Sequence, residues 1–225
     1  MTNETSTEER LAAQLRGFGP LGLLSILIIL GGNFLFSPLS AILVVVWVSL
    51  SRTPWREIGY VWPQSWARTL ALGIIFGVAF KFLMKAIVMP LLGAPPINQA
   101  YHWVAGNPAS LPRMLFLMIV VAGWGEETFY RGWMFERLGK LLGTSVWAKV
   151  AIVALTSIPF ALLHYVDQGK AGMEQALMTG LTFGTIFALT GRIFLVMVLH
   201  AAFDLAALAM IYWDCETAVA HFFFK

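Results

Sequence analysis

The chain has 225 residues, of which 59% are hydrophobic and only 12% charged, whereas a soluble domain carries about 25% charged residues. That balance excludes an ordinary soluble globular domain, and the formal net charge of +3 is too small to argue for a nucleic-acid partner. The single cysteine, Cys215, excludes an internal disulfide framework and a cysteine-rich zinc site.

Residues 1–16 are polar and mixed in charge and read as a cytosolic N-terminal tail; residues 17–225 read as one integral-membrane domain without repeats. The apolar run from Pro20 is read as a retained first helix, because further spans follow and no convincing small-residue cleavage site stands beside Gly31-Gly32-Asn33. Two spans are expected between Leu21 and Leu50, broken near Gly31-Gly32-Asn33 and Ser37-Pro38. A third runs from Ala67 to Met89, and a loop rich in Pro, Gly and Asn follows, from Pro90 to Pro112. The fourth starts near Leu111, and its amphipathic continuation, Arg131 to Leu142, leaves the hydrocarbon. The fifth covers Val146 to Tyr165, the sixth Gln175 to Thr190, the seventh Ile193 to Trp213. The fold expected is all-α: a polytopic membrane bundle of about seven to eight transmembrane helices enclosing a polar site, since roughly 20 apolar residues cross a bilayer.

Basic residues alternate between loops. Arg10 and Arg16 precede the first span, Arg52, Arg56 and Arg68 follow the second, and Arg131, Arg137, Lys140 and Lys149 follow the fourth. Arg192 separates the sixth from the seventh. The positive-inside rule then places the N-terminus in the cytoplasm.

Ionisable residues are costly within hydrocarbon and persist where they pair, line a cavity or do chemistry. Here they concentrate in Glu126-Glu127 with Arg131, in His164, and in His200 with Asp204. On an α-helix residues four apart share a face, while adjacent residues point about 100° apart. Glu127 and Arg131 are therefore placed to pair, in the better order of charges, and Glu126 points elsewhere. A carboxylate in a poorly hydrated cavity is suited to take a proton from water, so Glu126 reads as a base and Glu127–Arg131 as scaffold. Phe160 shares a face with His164 and can orient its ring; His200 shares one with Asp204, which could accept a hydrogen bond from it. Taken singly, each cluster has a plainer reading: an interhelical hydrogen bond, a structural ion pair, or part of a proton path. Together they supply a base and oxyanion stabilisers from three helices, which suits amide hydrolysis by activated water.

The run GWGEETFYRGWMFERL resembles an EExxxR motif, FALLH an FxxxH motif and HAAFD an HxxxN/D motif of the CPBP intramembrane proteases, which include the CAAX prenyl endopeptidases and many bacterial Abi-type proteins. The resemblance covers roughly Leu111 to Leu208, the expected protease core, and TPWREIGYVWP resembles the family's segment before its third span. It implies a membrane endopeptidase in which Glu126 activates water and His164, His200 and Asp204 complete the catalytic set, with Glu127, Arg131 and Phe160 in support. The best-known members carry Asn at the last position, where this chain has Asp204. The added charge brings metal binding into consideration: zinc, held by His164, His200 and Glu126, is the alternative to a metal-free glutamate mechanism; no HExxH helix is present, and the family resemblance implies the glutamate mechanism, which is preferred. The bacterial plasma membrane is the expected location.

The partners expected are the lipid bilayer and a membrane-embedded or lipidated substrate: a prenylated CaaX tail, a peptide precursor or a sorting tail. Oligomeric state is left open. An ion-coupled transporter using the same four residues as a relay, or a non-catalytic peptide-binding or immunity protein of the same fold, is the competing reading; a transporter would favour internal repeats. Gly73 with Gly77 and Gly180 with Gly184 read as close helix contacts, and Trp55, Trp62 and Trp66 as interfacial anchors. Pro159 is expected to kink the fifth helix. One conflict stands: His164 lies about 27 Å along a helix from Val146, but His200 only about 10 Å beyond Ile193.

Overall fold

The computed structural model describes residues 7–224, and among these it contains helices and loops and no strand. The helices are α1 (Thr7–Arg16) and α2 (Pro20–Leu35), then α3 (Ser37–Ser51), α4 (Trp66–Leu91) and α5 (Pro108–Leu142). They continue with α6 (Val146–Thr190), α7 (Ile193–Tyr212) and the short α8 (Glu216–Ala220). Local chemistry sets several starts. Pro20 opens α2, where a missing N–H costs nothing. Ser65 and Ser145 cap α4 and α6 by accepting hydrogen bonds from the N–H groups of Arg68 and Ala148.

By length and apolarity α4, α5, α6 and α7 can each cross a membrane, and the bent pair α1–α2 gives a fifth candidate. α6 does so twice. Its 45 residues break at Gly169, whose φ of 63° and ψ of −159° form a corner open to glycine. The limbs then fold back on each other. A Cβ on Gly180 would lie 3.0 Å from Ser157 Cβ, and one on Gly184 3.3 Å from a Val153 methyl. With the shorter apolar α3, the legs follow the order expected for the seven runs. Large apolar side chains such as Leu27, Leu35, Ile75 and Val166 remain exposed on the outside, as lipid-facing surface requires. The protein is an integral membrane protein.

Several boundaries differ from expectation. Gly31-Gly32-Asn33 does not break the first hairpin but lies inside α2; the corner is Phe36, extended, with Pro38 at the start of α3. Gly32 instead permits close approach, since a Cβ there would lie 2.7 Å from Leu43 Cδ1. No loop separates the fifth and sixth runs, because one glycine suffices for the turn, and Pro159 stays within helical backbone. Of the polar tail, residues 1–6 lie outside the described residues; from Thr7 onward it is helix. That helix is held by Trp47, whose indole N–H donates to the Leu15 carbonyl at 3.1 Å, and by Arg137, which donates to the Arg16 carbonyl at 2.9 Å.

α5 is the structural departure that matters for the site. From Leu117 to Trp133 its backbone takes wide π-helical turns, a form that is rare and concentrates at functional sites. α4 packs along α7, and α5 packs against both α3 and α7. Gly73 and Gly77 make the first contact close: a Cβ on Gly77 would lie 2.4 Å from the Leu199 carbonyl oxygen. The basic loops gather at one end, where Ile193 N–H donates to the Gly59 carbonyl at 3.0 Å and Lys140 meets Glu57 at 3.9 Å. At the other end α8 meets the 92–107 loop through Glu216 and Asn98.

Candidate active site

Three legs converge between two aromatic clusters, one containing Phe129, Tyr130 and Phe160 and the other Phe183, Leu199 and Phe203. At their junction lies Glu127, completely buried. Its Oε1 accepts from Arg131 Nη1 at 2.9 Å and from His200 Nδ1 at 2.6 Å. Arg131, equally buried, reaches the Gly180 carbonyl with Nη2 at 3.4 Å and stacks over the Phe160 ring at 4.8 Å. One ion pair thereby joins α5, α7 and both limbs of α6. A buried pair of this kind contributes little net stability by itself, but removing one partner strands a charge in a dry interior.

Glu126 has a different setting. It lines a cavity of about 610 Å³ that is also bordered by Tyr130, His164, His200 and Asp204. Its Oε2 is buried and without a hydrogen-bond partner; the nearest polar group recorded is His200 Nε2 at 3.9 Å. His200 thus turns Nδ1 to the scaffold and Nε2 to the cavity. Asp204 Oδ2 lies 3.6 Å from that Nε2, too far for the hydrogen bond expected between them; Glu127 takes that role on the other ring nitrogen. His164 pairs Nδ1 with the Phe160 carbonyl at 2.8 Å, and its ring lies 4.7 Å from that of Phe160, which leaves Nε2 for the cavity.

The depth conflict between the histidines shrinks for a clear reason. His200 packs on Phe183, rings 5.1 Å apart, beside Gly180, and Gly180 lies opposite Ser157. Level with His200, therefore, is Ser157 rather than the start of α6. The remaining offset of seven residues, about 10 Å of rise, is bridged by the Phe160 ring, whose centroid lies 6.2 Å from that of His200.

Expected residues Glu126, His164, His200 and Asp204 all line one cavity, as does Phe160, while Glu127 and Arg131 lie behind it, bonded to His200 Nδ1 and to each other. Sequence reasoning missed Lys81, Tyr130, Gln175 and Asn33, which line it too. Asn33 Nδ2 donates to Tyr130 Oη at 3.3 Å, tying the α2–α3 corner to the rim. Lys81 was the most findable, being a charge inside an apolar run. Among the described residues no three His, Cys, Asp or Glu side chains stand close enough to hold a metal ion. By that spacing the set His164, His200 and Glu126 does not fit zinc in this arrangement, although the His200 Nδ1–Glu127 bond leaves Nε2 free and is itself compatible with a ligand role.

Fold and site define a polytopic membrane protein with a carboxylate–imidazole centre inside its helical bundle. Residues 108–206 match the family of Rce1-like type II CAAX prenyl endopeptidases. The matched stretch is similar to that family, in line with its motif resemblance to the CPBP proteases, and it covers α5, α6 and most of α7. It supports an intramembrane endopeptidase activity in general. No curated protein and no solved structure matches the chain.

Proposed function

We propose that the protein hydrolyses a peptide bond in a membrane-associated, lipidated substrate by a metal-free mechanism in which Glu126 activates water. The observation that carries this reading is a contrast in setting: Glu126 lines the cavity with its Oε2 unpartnered, whereas the adjacent Glu127, away from the cavity lining, has Oε1 held by Arg131 and His200 and only Oε2 without a partner. A free carboxylate beside imidazoles has the geometry of a general base.

A water held between Glu126 and His164 Nε2 gives its proton to Glu126, and its oxygen attacks the scissile carbonyl carbon. The carbonyl π pair moves to oxygen. That oxyanion is stabilised by His200 Nε2–H, with Asp204 orienting the approach. Donation from Nε2 while Nδ1 serves Glu127 requires a doubly protonated ring, and the carboxylates of Glu126, Glu127 and Asp204 surround it. Collapse breaks the C–N bond, and the proton on Glu126 passes to the departing amine. Prenylated tails are the favoured substrates, given the matched family's description. The end of the bundle carrying Arg52, Arg137 and Arg192 is placed in the cytoplasm, with the N-terminus.

The test is cleavage of a panel of membrane-associated peptides, prenylated and unprenylated, by purified protein in liposomes, with Glu126→Ala and with chelator. Cleavage by wild type that Glu126→Ala lacks and chelator leaves intact is the expected result. Loss on chelation would replace the glutamate mechanism by a metal one, and equal behaviour of wild type and Glu126→Ala would remove the enzyme reading.

A further inference from the structure

Beyond the catalytic cavity lies a second compartment of about 400 Å³, lined by Ala94, Pro95 and residues 97–100 together with Lys85 and Glu216. The two share lining residues, among them Lys81, Asn98, Gln175 and Ala207. Of the charged side chains on both, Asp167 is exposed and Lys81 is buried. Lys81 is thus a buried cation at the passage from one compartment to the other.

Its partners are neutral. Nζ donates to Gln175 Oε1 at 2.9 Å and lies 4.8 Å over the Phe203 ring. No carboxylate stands within ion-pair distance of it among the described residues. The carboxylates whose charges act on it are Asp204, the stronger, and Glu216; Glu216 is taken by Lys85 at 2.7 Å and by the Asn98 backbone N–H at 3.2 Å, and Asp204 stands in the cavity 3.6 Å from His200 Nε2. The contrast between the two lysines, four residues apart on α4, is informative: Lys85 touches its counter-ion, whereas Lys81 feels Asp204 and Glu216 only at longer range. A buried ammonium on a transmembrane helix is costly unless a charge of opposite sign reaches it, and the open side of Lys81 is the cavity itself.

We infer that Lys81 binds a carboxylate of the substrate, and that the second compartment receives the carboxy-terminal side of the scissile bond. The inference rests on the peptidase reading and deepens it: Lys81 determines specificity for a peptide whose negative charge lies a short distance beyond the cleaved bond. An ammonium–carboxylate hydrogen bond in a poorly hydrated site is worth about a tenfold to hundredfold preference over a neutral isostere.

The experiment uses three fluorescent prenylated peptides ending in Cys-aliphatic-aliphatic-X: one with a free C-terminal carboxylate, one amidated, and one amidated but with Glu as the last residue. Binding is measured on the full chain in liposomes in a Glu126→Gln background, where no turnover intervenes, and cleavage is measured in the wild-type background. The free acid is expected to bind at least tenfold more tightly than the plain amide, with the cleavage preference carried by KM. Lys81→Met abolishes that preference, and Lys81→Arg retains most of it. Rescue of affinity by the terminal Glu would assign the site to any carboxylate in reach, and its absence to the C-terminal one. Equal binding of acid and amide to the Lys81-containing protein, or an acid preference that survives Lys81→Met, would overturn the inference. Failure of cleavage alongside an intact, Lys81-dependent binding preference would overturn the peptidase reading and leave carboxylate recognition standing.

Discussion

Two adjacent glutamates on α5 occupy opposite electrostatic worlds. Glu127 points into the packed junction, where Arg131 and His200 satisfy one oxygen; Glu126 points into the cavity, where its Oε2 has no partner. A partnered carboxylate at a junction of helices holds them in register, and a bare one facing a cavity is available to a reactant. Under the proposed mechanism the same chemical group serves architecture on one face of α5 and chemistry on the other, and substitution separates the two.

The largest expected effect is on the cavity side. Glu126→Gln lowers cleavage about 10³-fold to 10⁴-fold, the upper part of what a general base contributes, while thermal unfolding in detergent stays within about 0.5 kcal/mol of wild type. A large drop in stability would show that Glu126 is structural after all. On the junction side, Arg131→Met strands Glu127 and destabilises the bundle by about 3–5 kcal/mol. It should register as a lowered Tm even under conditions where no substrate is present; an unchanged Tm would mean the pair does not hold the helices together.

Between these extremes lies His164→Ala, expected to reduce kcat about 10²-fold through loss of one group that holds the water, with an unaltered Tm because its protein hydrogen bond is to its own helix. A change confined to KM would move His164 from catalysis to substrate binding. The smallest expected effect is Gly77→Ala, where the added methyl meets the Leu199 carbonyl oxygen at 2.4 Å and costs about 1–3 kcal/mol through separation of α4 and α7. Because α7 carries His200 and Asp204, a modest fall in activity should accompany it; full activity with unchanged stability would show that the contact yields freely.

Much of the site was legible in advance because its residues are exceptions. Charges in apolar runs stand out, and spacing of four residues on one helix identified the Glu127–Arg131 pair and the Phe160–His164 contact. Small residues four apart marked Gly73 with Gly77 and Gly180 with Gly184 as contacts, and each packs closely on a neighbouring leg. Less was legible at corners. Gly31-Gly32-Asn33 looked like a break and is helix, whereas Gly169, inconspicuous between Gln168 and Lys170, turns the chain back on itself. A glycine in a helix serves either to bend the chain or to admit a neighbour, and only the neighbour distinguishes them.

Composition, apolar run length and motif spacing alone determined that this is a helical membrane protein and which polar residues it gathers. These properties are local, since a span needs only enough apolar residues and a motif only its own turn of helix. Tertiary structure alone decided the pairing across helices: that His200 gives its Nδ1 to Glu127 and not to Asp204, that Glu126 is left bare, and that Lys81 faces the cavity while Lys85 meets Glu216. Those assignments depend on how wide α5 turns and on where α6 folds back, and such distances between helices are not encoded in the spacing along any one of them.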